Sequence, residues 1–159
     1  MSETSKRVAS FAEFREVIEK LKNQPVWQSR AGSGTGSIFT LQFGPVSARD
    51  EKWGKFSLMV CCAWRIVTAE RVICTWHEDA DTSLAPALQT LENSMVANAA
   101  FTAWGDLTID FSNGHSLHIW NDAPYIDSDS WFIICEGLGN YWVDPRNTFI
   151  HEPHEPEVD

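Results

Sequence analysis

The segment from Leu107 to Trp120 constrains the fold of this chain more than any other. It reads Leu-Thr-Ile-Asp-Phe, then Ser-Asn-Gly-His, then Ser-Leu-His-Ile-Trp, so apolar and polar side chains alternate on both sides of a short polar connection. Such alternation is typical of half-buried strands, and Asn113-Gly114 suits a tight turn with positive φ. The pattern predicts a β-hairpin in which the apolar side chains of each strand share one face.

Further segments bounded by turn residues are predicted to be strands. They are residues 38–43, 56–66, 72–76 and 95–104, and a final hairpin of 131–135 with 140–143 that turns near Gly137 and Gly139. Both alternating sets of 56–66 are largely apolar, which predicts a central strand covered on both faces. We expect 72–76 to pair with that strand as its antiparallel neighbour.

Two segments have helical periodicity. Ser10 and Glu13 have the spacing of a capping box, apolar residues recur at helical spacing through 11–23, and Pro25 follows. Residues 83–93 form a shorter amphipathic segment with Pro86 in its first turn, where proline is tolerated. These elements predict an α+β fold, with an N-terminal helix followed by about seven mostly antiparallel strands in a bent sheet or partial barrel, and one short additional helix near 83–93.

The chain is expected to form one domain in a reducing compartment. Residues 1–150 are predicted to be a single α+β domain, and 151–159, which lack apolar periodicity, a disordered acidic tail. No domain-scale repeat is apparent. A polar start without a long apolar run predicts a cytoplasmic protein. The cysteines lack paired metal-ligand spacing and are predicted to be mostly buried free thiols: Cys61, Cys62, Cys74 and Cys135.

Acidic residues are concentrated in the second half of the chain. The net charge is −10, but residues 1–75 contain eleven basic and seven acidic side chains, whereas residues 76–159 contain Arg146 and fifteen acids. A nucleic-acid-binding protein needs a basic face, and an anionic membrane would repel an acidic one, so neither is an expected partner. The charge distribution instead predicts attraction to a basic protein.

Several of these acids alternate along the chain with aromatic residues, among them Trp76, Trp104 and Trp131. Aromatic side chains surrounded by charges of one sign are typical of protein-binding surfaces. The predicted partner-binding residues are Glu78, Asp79, Asp81, Asp106, Asp110, Trp120, Asp122, Tyr125, Asp127 and Asp129.

Motifs for catalysis or for cofactor binding are incomplete. The glycine run at 32–37 lacks the lysine and the following helix of a phosphate loop, and His151 and His154 are three apart around a proline instead of four apart on a helix. Asp127 and Asp129 alternate as in a calcium loop, but the central glycine and closing glutamate are missing. No catalytic residue, metal or cofactor is predicted, although paired carboxylates remain an open alternative. Arg65, inside an apolar strand, is expected to pair with a carboxylate.

A set of strand motifs resembles a family of small bacterial domains. The motifs are Trp64-Arg-Ile66, Val72-Ile-Cys74, residues 105–114, Leu117-His-Ile-Trp120 and Asp129-Ser-Trp131, and they span roughly residues 37–143. Members of this kind look like immunity proteins encoded beside polymorphic or contact-dependent toxins. The resemblance implies a non-enzymatic protein that binds and neutralises a cognate toxin domain, often a basic nuclease; it transfers no catalytic residue.

Two other classes of function remain open from the sequence. A small-molecule-binding or enzymatic β-barrel would line an interior pocket with some of the eight tryptophans. A structural assembly module would associate with itself. The sequence leaves the oligomeric state and the identity of the toxin undefined.

Overall fold

The computed structural model describes residues 6–32, 34, 36–122, 129–146 and 148–154. Its elements, in chain order, are β1 (Arg7–Val8), α1 (Phe11–Glu19), β2 (Val26–Gly32), β3 (Gly36–Val46), β4 (Gly54–Val60), β5 (Trp64–Val67), β6 (Val72–Thr75), a π-helical turn (Ala80–Leu84), α2 (Ala85–Gln89), β7 (Val96–Phe101), β8 (Leu107–Phe111), β9 (Ser116–Ile119), β10 (Trp131–Cys135), β11 (Gly139–Val143) and β12 (Phe149–Glu152).

Across these described ranges, the twelve strands form two antiparallel sheets. One has seven strands in the order β1-β12-β11-β10-β4-β3-β2, and the other has five in the order β6-β5-β9-β8-β7. Inward side chains of both sheets and of the two helices belong to one hydrophobic core. The α+β class is therefore confirmed, but the expected arrangement of about seven strands in one bent sheet or partial barrel is wrong.

The predicted strand at 56–66 is two strands that belong to different sheets. β4 ends at Val60, β5 begins at Trp64, and between them the Cys61 amide donates to the Ser130 carbonyl at 2.8 Å. β4 then pairs with β10, whereas β5 pairs with β9 and, as predicted, with β6. The continuous apolar alternation hid this break because the core-facing residues of both strands enter the same core.

Both helices are shorter than predicted. Ser10 caps α1, since its hydroxyl accepts from the Glu13 amide at 3.1 Å, but the Glu13 carboxylate bonds to Arg7 and does not close a capping box. Turns replace the helix after Glu19 and end at Asn23, with φ of 70°. The segment at 83–93 instead begins at residue 80 as a π-helical turn, and α2 ends at residue 89.

The two halves of the chain meet across an approximate two-fold axis. Pro25 and Met95 form an antiparallel bridge, and the asparagines two residues before them, Asn23 and Asn93, both have positive φ. The Asn23 amide donates to the carbonyl of Val96 at 2.8 Å, and the Asn93 amide donates to that of Val26 at 2.7 Å. The backbone of each half therefore holds the other in an equivalent way.

This equivalence extends along the elements of each half. Val26 pairs with Phe43 and Val96 with Phe111, and in both cases the register shifts immediately afterwards. The strands β2-β3-β4 thus correspond to β7-β8-β9, and β5-β6 correspond to β10-β11. Each of these hairpins pairs with the three strands of the other half. This correspondence of elements was not apparent as a repeat in the sequence.

Two tryptophans at equivalent positions of the two halves make the same kind of contact. The Trp64 indole donates to the Ser37 carbonyl at 2.8 Å, and the Trp131 indole donates to the Gly105 carbonyl at the same distance. Both tryptophans are fully buried. The repeat is thus carried by buried positions and by backbone geometry.

Residues 151–154, the described part of the predicted disordered tail, are ordered. β12 includes His151 and Glu152 and pairs with β11, and His154 forms a 3.0 Å hydrogen bond with the Cys135 carbonyl; residues 155–159 lie outside the described ranges. The four cysteines are free, three of them buried, and burial raises the pKa of Cys62 to about 12. Within the described residues, no helix is long and apolar enough to cross a membrane.

Candidate functional site

One end of the five-stranded sheet gathers most of the predicted binding residues. Because neighbouring strands are antiparallel, the chain leaves β6, β9 and β7 at the same end at which it enters β5 and β8. We call this the acidic end, formed by residues 76–81, 104–106, 120–122 and 129. Lys6 lies near Asp129, and Arg65 lies over Trp120. The segments themselves contain no lysine or arginine and six carboxylates: Glu78, Asp79, Asp81, Asp106, Asp122 and Asp129.

Asn121 joins three segments of the acidic end. Its backbone amide donates to the Asp106 carboxylate at 2.8 Å, and its side-chain amide donates to the Trp104 carbonyl at 3.0 Å. The Ser130 hydroxyl donates to the side-chain oxygen of Asn121. These bonds fix the turn that carries Trp104, whose side chain is 74% exposed, the largest exposure of any bulky apolar residue described.

The acids that follow β6 also have local structural roles. The Glu78 carboxylate accepts from the Thr75 amide at 2.7 Å. Asp79 caps the π-helical turn by accepting from the amides of Asp81 and Thr82 at 3.0 and 2.8 Å. The bonds from Thr82 are the main reason that the pKa of Asp79 is lowered. Both side chains are exposed, so they contribute to this surface while shaping it.

Asp129 is held where its charge is unfavourable. Partial burial of its carboxyl group raises its pKa, the nearby Asp144 raises it further, and Lys6 opposes the effect. No hydrogen bond within the described residues compensates the carboxylate. The residue as a whole is exposed, so its carboxylate is accessible to a partner.

Asp110 and Trp120 lie on the outward face of the same sheet. Asp110 accepts from the Ser116 hydroxyl at 2.6 Å, a bond equivalent to the 2.9 Å bond from Gln42 to Ser57 in the other half. The guanidinium of Arg65 lies 5.0 Å from the centre of the Trp120 ring, a cation–π contact. Arg65 is exposed, and no ion pair with the expected carboxylate partner occurs within the described ranges.

His118 is the titratable group on this face that could most readily take part in chemistry. It stacks 6.2 Å from Trp120, and its Nδ1 lies 3.3 Å from the Thr108 hydroxyl. Burial and, to a smaller extent, Arg65 lower its pKa. A neutral imidazole beside a guanidinium can accept or donate a hydrogen bond to a partner. Among the described residues, no cluster of three metal-binding side chains occurs.

Two of the predicted binding residues, Tyr125 and Asp127, lie outside the described residues. Trp131, expected to accompany the acids, is fully buried and packs edge-on against Phe14. Trp104 was not among the predicted binding residues; the following Gly105, with φ of 84°, is the sequence signal of the turn that exposes it.

An open cavity of about 230 Å³ lies elsewhere, on the outer face of the seven-stranded sheet. Trp53, 44% exposed, is the tryptophan that lines it, beside Ser57, Ile134 and His154. The interior tryptophan Trp64 instead packs against Phe39, with ring centres 4.7 Å apart. The cavity is therefore a shallow surface feature with one aromatic wall, unlike the tryptophan-lined interior of a ligand-binding barrel.

No family model matches the chain, and no curated protein or solved structure matches it either. The acidic end itself is therefore the main basis for inferring function.

Proposed function

We propose that this chain is a non-enzymatic, cytoplasmic binding protein that neutralises a basic toxin domain, as its resemblance to immunity proteins implies. The observation that supports this function most is the convergence of six carboxylates and exposed Trp104 at one end of a sheet. Such a surface is complementary to the basic, phosphate-binding face of a nuclease. Covering that face would block access of nucleic acid to the toxin.

The acids and the tryptophan have different roles in this proposal. The carboxylates attract a basic partner over a distance and speed association, an effect that salt screens over about 8–10 Å. Trp104 supplies apolar area that becomes buried in the complex and slows dissociation. The bond from Asn121 to the Trp104 carbonyl holds the backbone of this turn in place before binding, so little backbone entropy is lost on association.

The gene neighbourhood provides the first test. We expect the reading frame immediately upstream to encode a large secreted protein with a basic C-terminal domain. That domain should arrest growth when expressed alone and should be harmless when this chain is co-expressed. Toxicity that persists with the chain present would contradict the proposal.

Association kinetics with that domain test the surface. Replacing both Asp122→Asn and Asp129→Asn should slow association and weaken its dependence on salt. The control, Glu16→Gln with Glu51→Gln, removes the same charge from exposed sites on α1 and on the β3–β4 turn and should have a much smaller effect. Trp104→Ala should mainly accelerate dissociation and cost about 2 kcal/mol or more of binding free energy. Equal effects of the two charge pairs would rule out this surface.

A further inference from the structure

The outer face of the seven-stranded sheet carries a continuous row of apolar side chains. Adjacent strands, from β4 through β10, β11 and β12 to β1, each contribute one residue, and these residues pair directly across the ladders: Met59, Phe132, Trp142, Ile150 and Val8. We call these five residues the apolar row. At a strand spacing of about 4.8 Å, the row is about 19 Å long. Contiguous apolar surface of this kind is typical of a contact site.

The apolar row is accessible from outside. Its members alternate along their strands with core residues, so their side chains point away from the core. Val8 is 71% exposed, and the other four are partly exposed. Helix α1 lies on the opposite face, where Phe14 packs edge-on against Trp131 and Tyr141, and α2 places Leu88 in the same core. Neither helix of the described chain therefore covers the row.

The internal repeat provides a comparison within the same molecule. In the five-stranded sheet, β9, β5 and β6 correspond to β4, β10 and β11. The equivalent outward positions there are polar: His118, Arg65 and Thr75 in place of Met59, Phe132 and Trp142. The same face is thus polar in one sheet and apolar in the other. Since water favours the polar set, the apolar set indicates that this face contacts a partner.

One end of the apolar row shows which charge it accepts. The Lys6 ammonium lies 4.6 Å from the centre of the Trp142 ring and 4.0 Å from the Glu152 carboxylate. Asp129 lies near the same ammonium and, with Trp142 and Ile150, lines an open cavity of about 320 Å³. An aromatic ring beside two carboxylates is suited to an organic cation. We call Trp142, Glu152 and Asp129 the cation site.

Lys6 is a replaceable occupant of the cation site. It lies one residue before β1, and its side chain is 59% exposed. Ion pairs and cation–π contacts of exposed side chains contribute little to stability. A lysine or arginine side chain of a partner can therefore take its place, while an apolar neighbour of that side chain packs on Ile150 and Val8.

We propose that the apolar row and the cation site form a second contact surface for the basic partner, an inference that rests on the proposed function. The segment that docks there is apolar and carries a lysine or arginine at one end. Asp129 belongs both to the acidic end and to the cation site, so the two surfaces are continuous. An apolar centre with a charged rim is the usual composition of an interface. A second copy of this chain fits less well, because two chains of net charge −10 repel each other.

The variant Lys6→Ala is the most direct test, with the capped peptide Ser-Val-Lys-Val-Ser as the probe. Lys22→Ala, an exposed change of the same charge after α1, is the matched control. Both variants attract a cation more strongly in general, but only Lys6→Ala vacates the site. We expect it to bind the peptide about threefold more tightly than Lys22→Ala does. Lys6→Arg, which keeps a cation over the ring, should bind like the unchanged chain.

Two further variants test the site itself. Trp142→Leu keeps the row apolar but removes the aromatic ring, and it should weaken binding about tenfold. Trp53→Leu, at an exposed tryptophan elsewhere on the same face, should not. Asp129→Asn leaves the packing of the row unchanged and should weaken binding about threefold, whereas Asp50→Asn at an exposed turn should not. The NMR signal of the Trp142 indole N–H reports occupancy of the site during each titration.

Three outcomes would overturn this contact surface. The first is equal affinity of Lys6→Ala and Lys22→Ala for the peptide, and the second is unchanged binding by both Trp142→Leu and Asp129→Asn; either would leave only general charge attraction, with the proposed function intact. The third is self-association that Phe132→Lys suppresses, which would assign the apolar row to a second copy of the chain. Failure of the proposed function is separate, since it is measured by persistent toxicity of the co-expressed domain.

Discussion

Gly105 and Gly114 have nearly the same backbone conformation, with φ of 84° and 87°, but different surroundings. A Cβ on Gly105 would lie 2.7 Å from the Asn121 side chain and 2.8 Å from that of Val143, whereas one on Gly114 would meet nothing within 4 Å. Gly105 also supplies the carbonyl that receives the Trp131 indole. The first glycine is required by packing and the second only by the turn.

Alanine substitutions at Gly105 and Gly114 should distinguish the cost of a steric clash from the cost of a positive φ. Gly114→Ala is expected to cost about 1–2 kcal/mol, the usual strain of a left-handed non-glycine residue. Gly105→Ala should cost more, because it adds a steric clash and disturbs the Asn121 bonds that position Trp104. Urea unfolding gives both free energies, and equal costs would show that Asn121 and Val143 move aside freely.

Asp129 should make stability depend on pH in an unusual direction for a carboxylate. Its pKa is raised in the folded state, so its ionised form is disfavoured by folding and its protonated form is not. Its unfavourable contribution is therefore present at neutral pH and disappears as the pH falls below the unfolded-state pKa. We expect Asp129→Asn to raise the free energy of unfolding at pH 7 and to have little effect near pH 3.

Glu13 provides the control, because its pKa is shifted in the opposite direction and its ionised form is favoured by folding. Its pKa is lowered, mainly by its hydrogen bonds to Arg7, so its favourable contribution is lost as the pH falls through its folded-state pKa. Glu13→Gln should thus lower stability at neutral pH. A stability loss at neutral pH on Asp129→Asn as well would show that its carboxylate is compensated.

Single residues were predictable where their chemistry acts locally. The Ser10 cap and the Asn113-Gly114 turn depend only on neighbouring backbone groups, and both are present as expected. Trp131 was misjudged because burial depends on partners distant in sequence, such as Phe14. The cation–π contact between Arg65 and Trp120 was likewise not predicted, because it joins two strands that are distant in sequence.

At the scale of elements, strand identity was easier to predict than strand partnership. The β8–β9 and β10–β11 hairpins and the β5–β6 pair are present as predicted because each is encoded by adjacent residues. The pairing of β4 with β10 joins residues about seventy positions apart, and alternation carries no signal for it. The grouping of acids at one end of a sheet depends on such pairings. The sequence therefore indicated which acidic and aromatic residues were available, but not that they lie together.

Removing the carboxylate that occupies the edge amide of β2 should free that edge for strand pairing. Glu92→Ala frees the Ser29 amide and hydroxyl, so we expect a loss of stability of about 1 kcal/mol and self-association that increases with concentration. Sedimentation velocity and urea unfolding measure the two effects. Glu16→Ala, an exposed acid on α1, should cause neither. A stable monomer after Glu92→Ala would indicate that the edge is protected by something other than this carboxylate.

For the whole molecule, the exchanged hairpins make the halves interdependent. Without β10, β4 loses one of its two neighbouring strands, and without β5 the same is true of β9. The helices are exchanged as well, since α1 contacts β7 and α2 contacts β2. The chain therefore resembles two swapped subunits joined into one polypeptide.

Fragments 1–77 and 78–159, separated in the exposed segment after β6, should test this interdependence. Each alone is expected to lack cooperative unfolding, because it leaves core residues of β4 and β5, or of β9 and β10, exposed. An equimolar mixture should recover a folded complex, visible as dispersed amide signals in NMR spectra. A cooperatively folded isolated fragment would contradict the exchange.

The pairing of β4 with β10 also limits when this protein can fold during its synthesis. β4 leaves the ribosome long before β10 exists, and neither sheet can be completed until most of the chain has been made. At ordinary rates of translation the delay is roughly 4 to 15 s. Pairing over such separations is also slow in itself. In nascent chains, apolar strands of the N-terminal half therefore remain unpaired until their partners have been translated. Their need for chaperones lasts until then, and active protein forms only once the C-terminal half is complete.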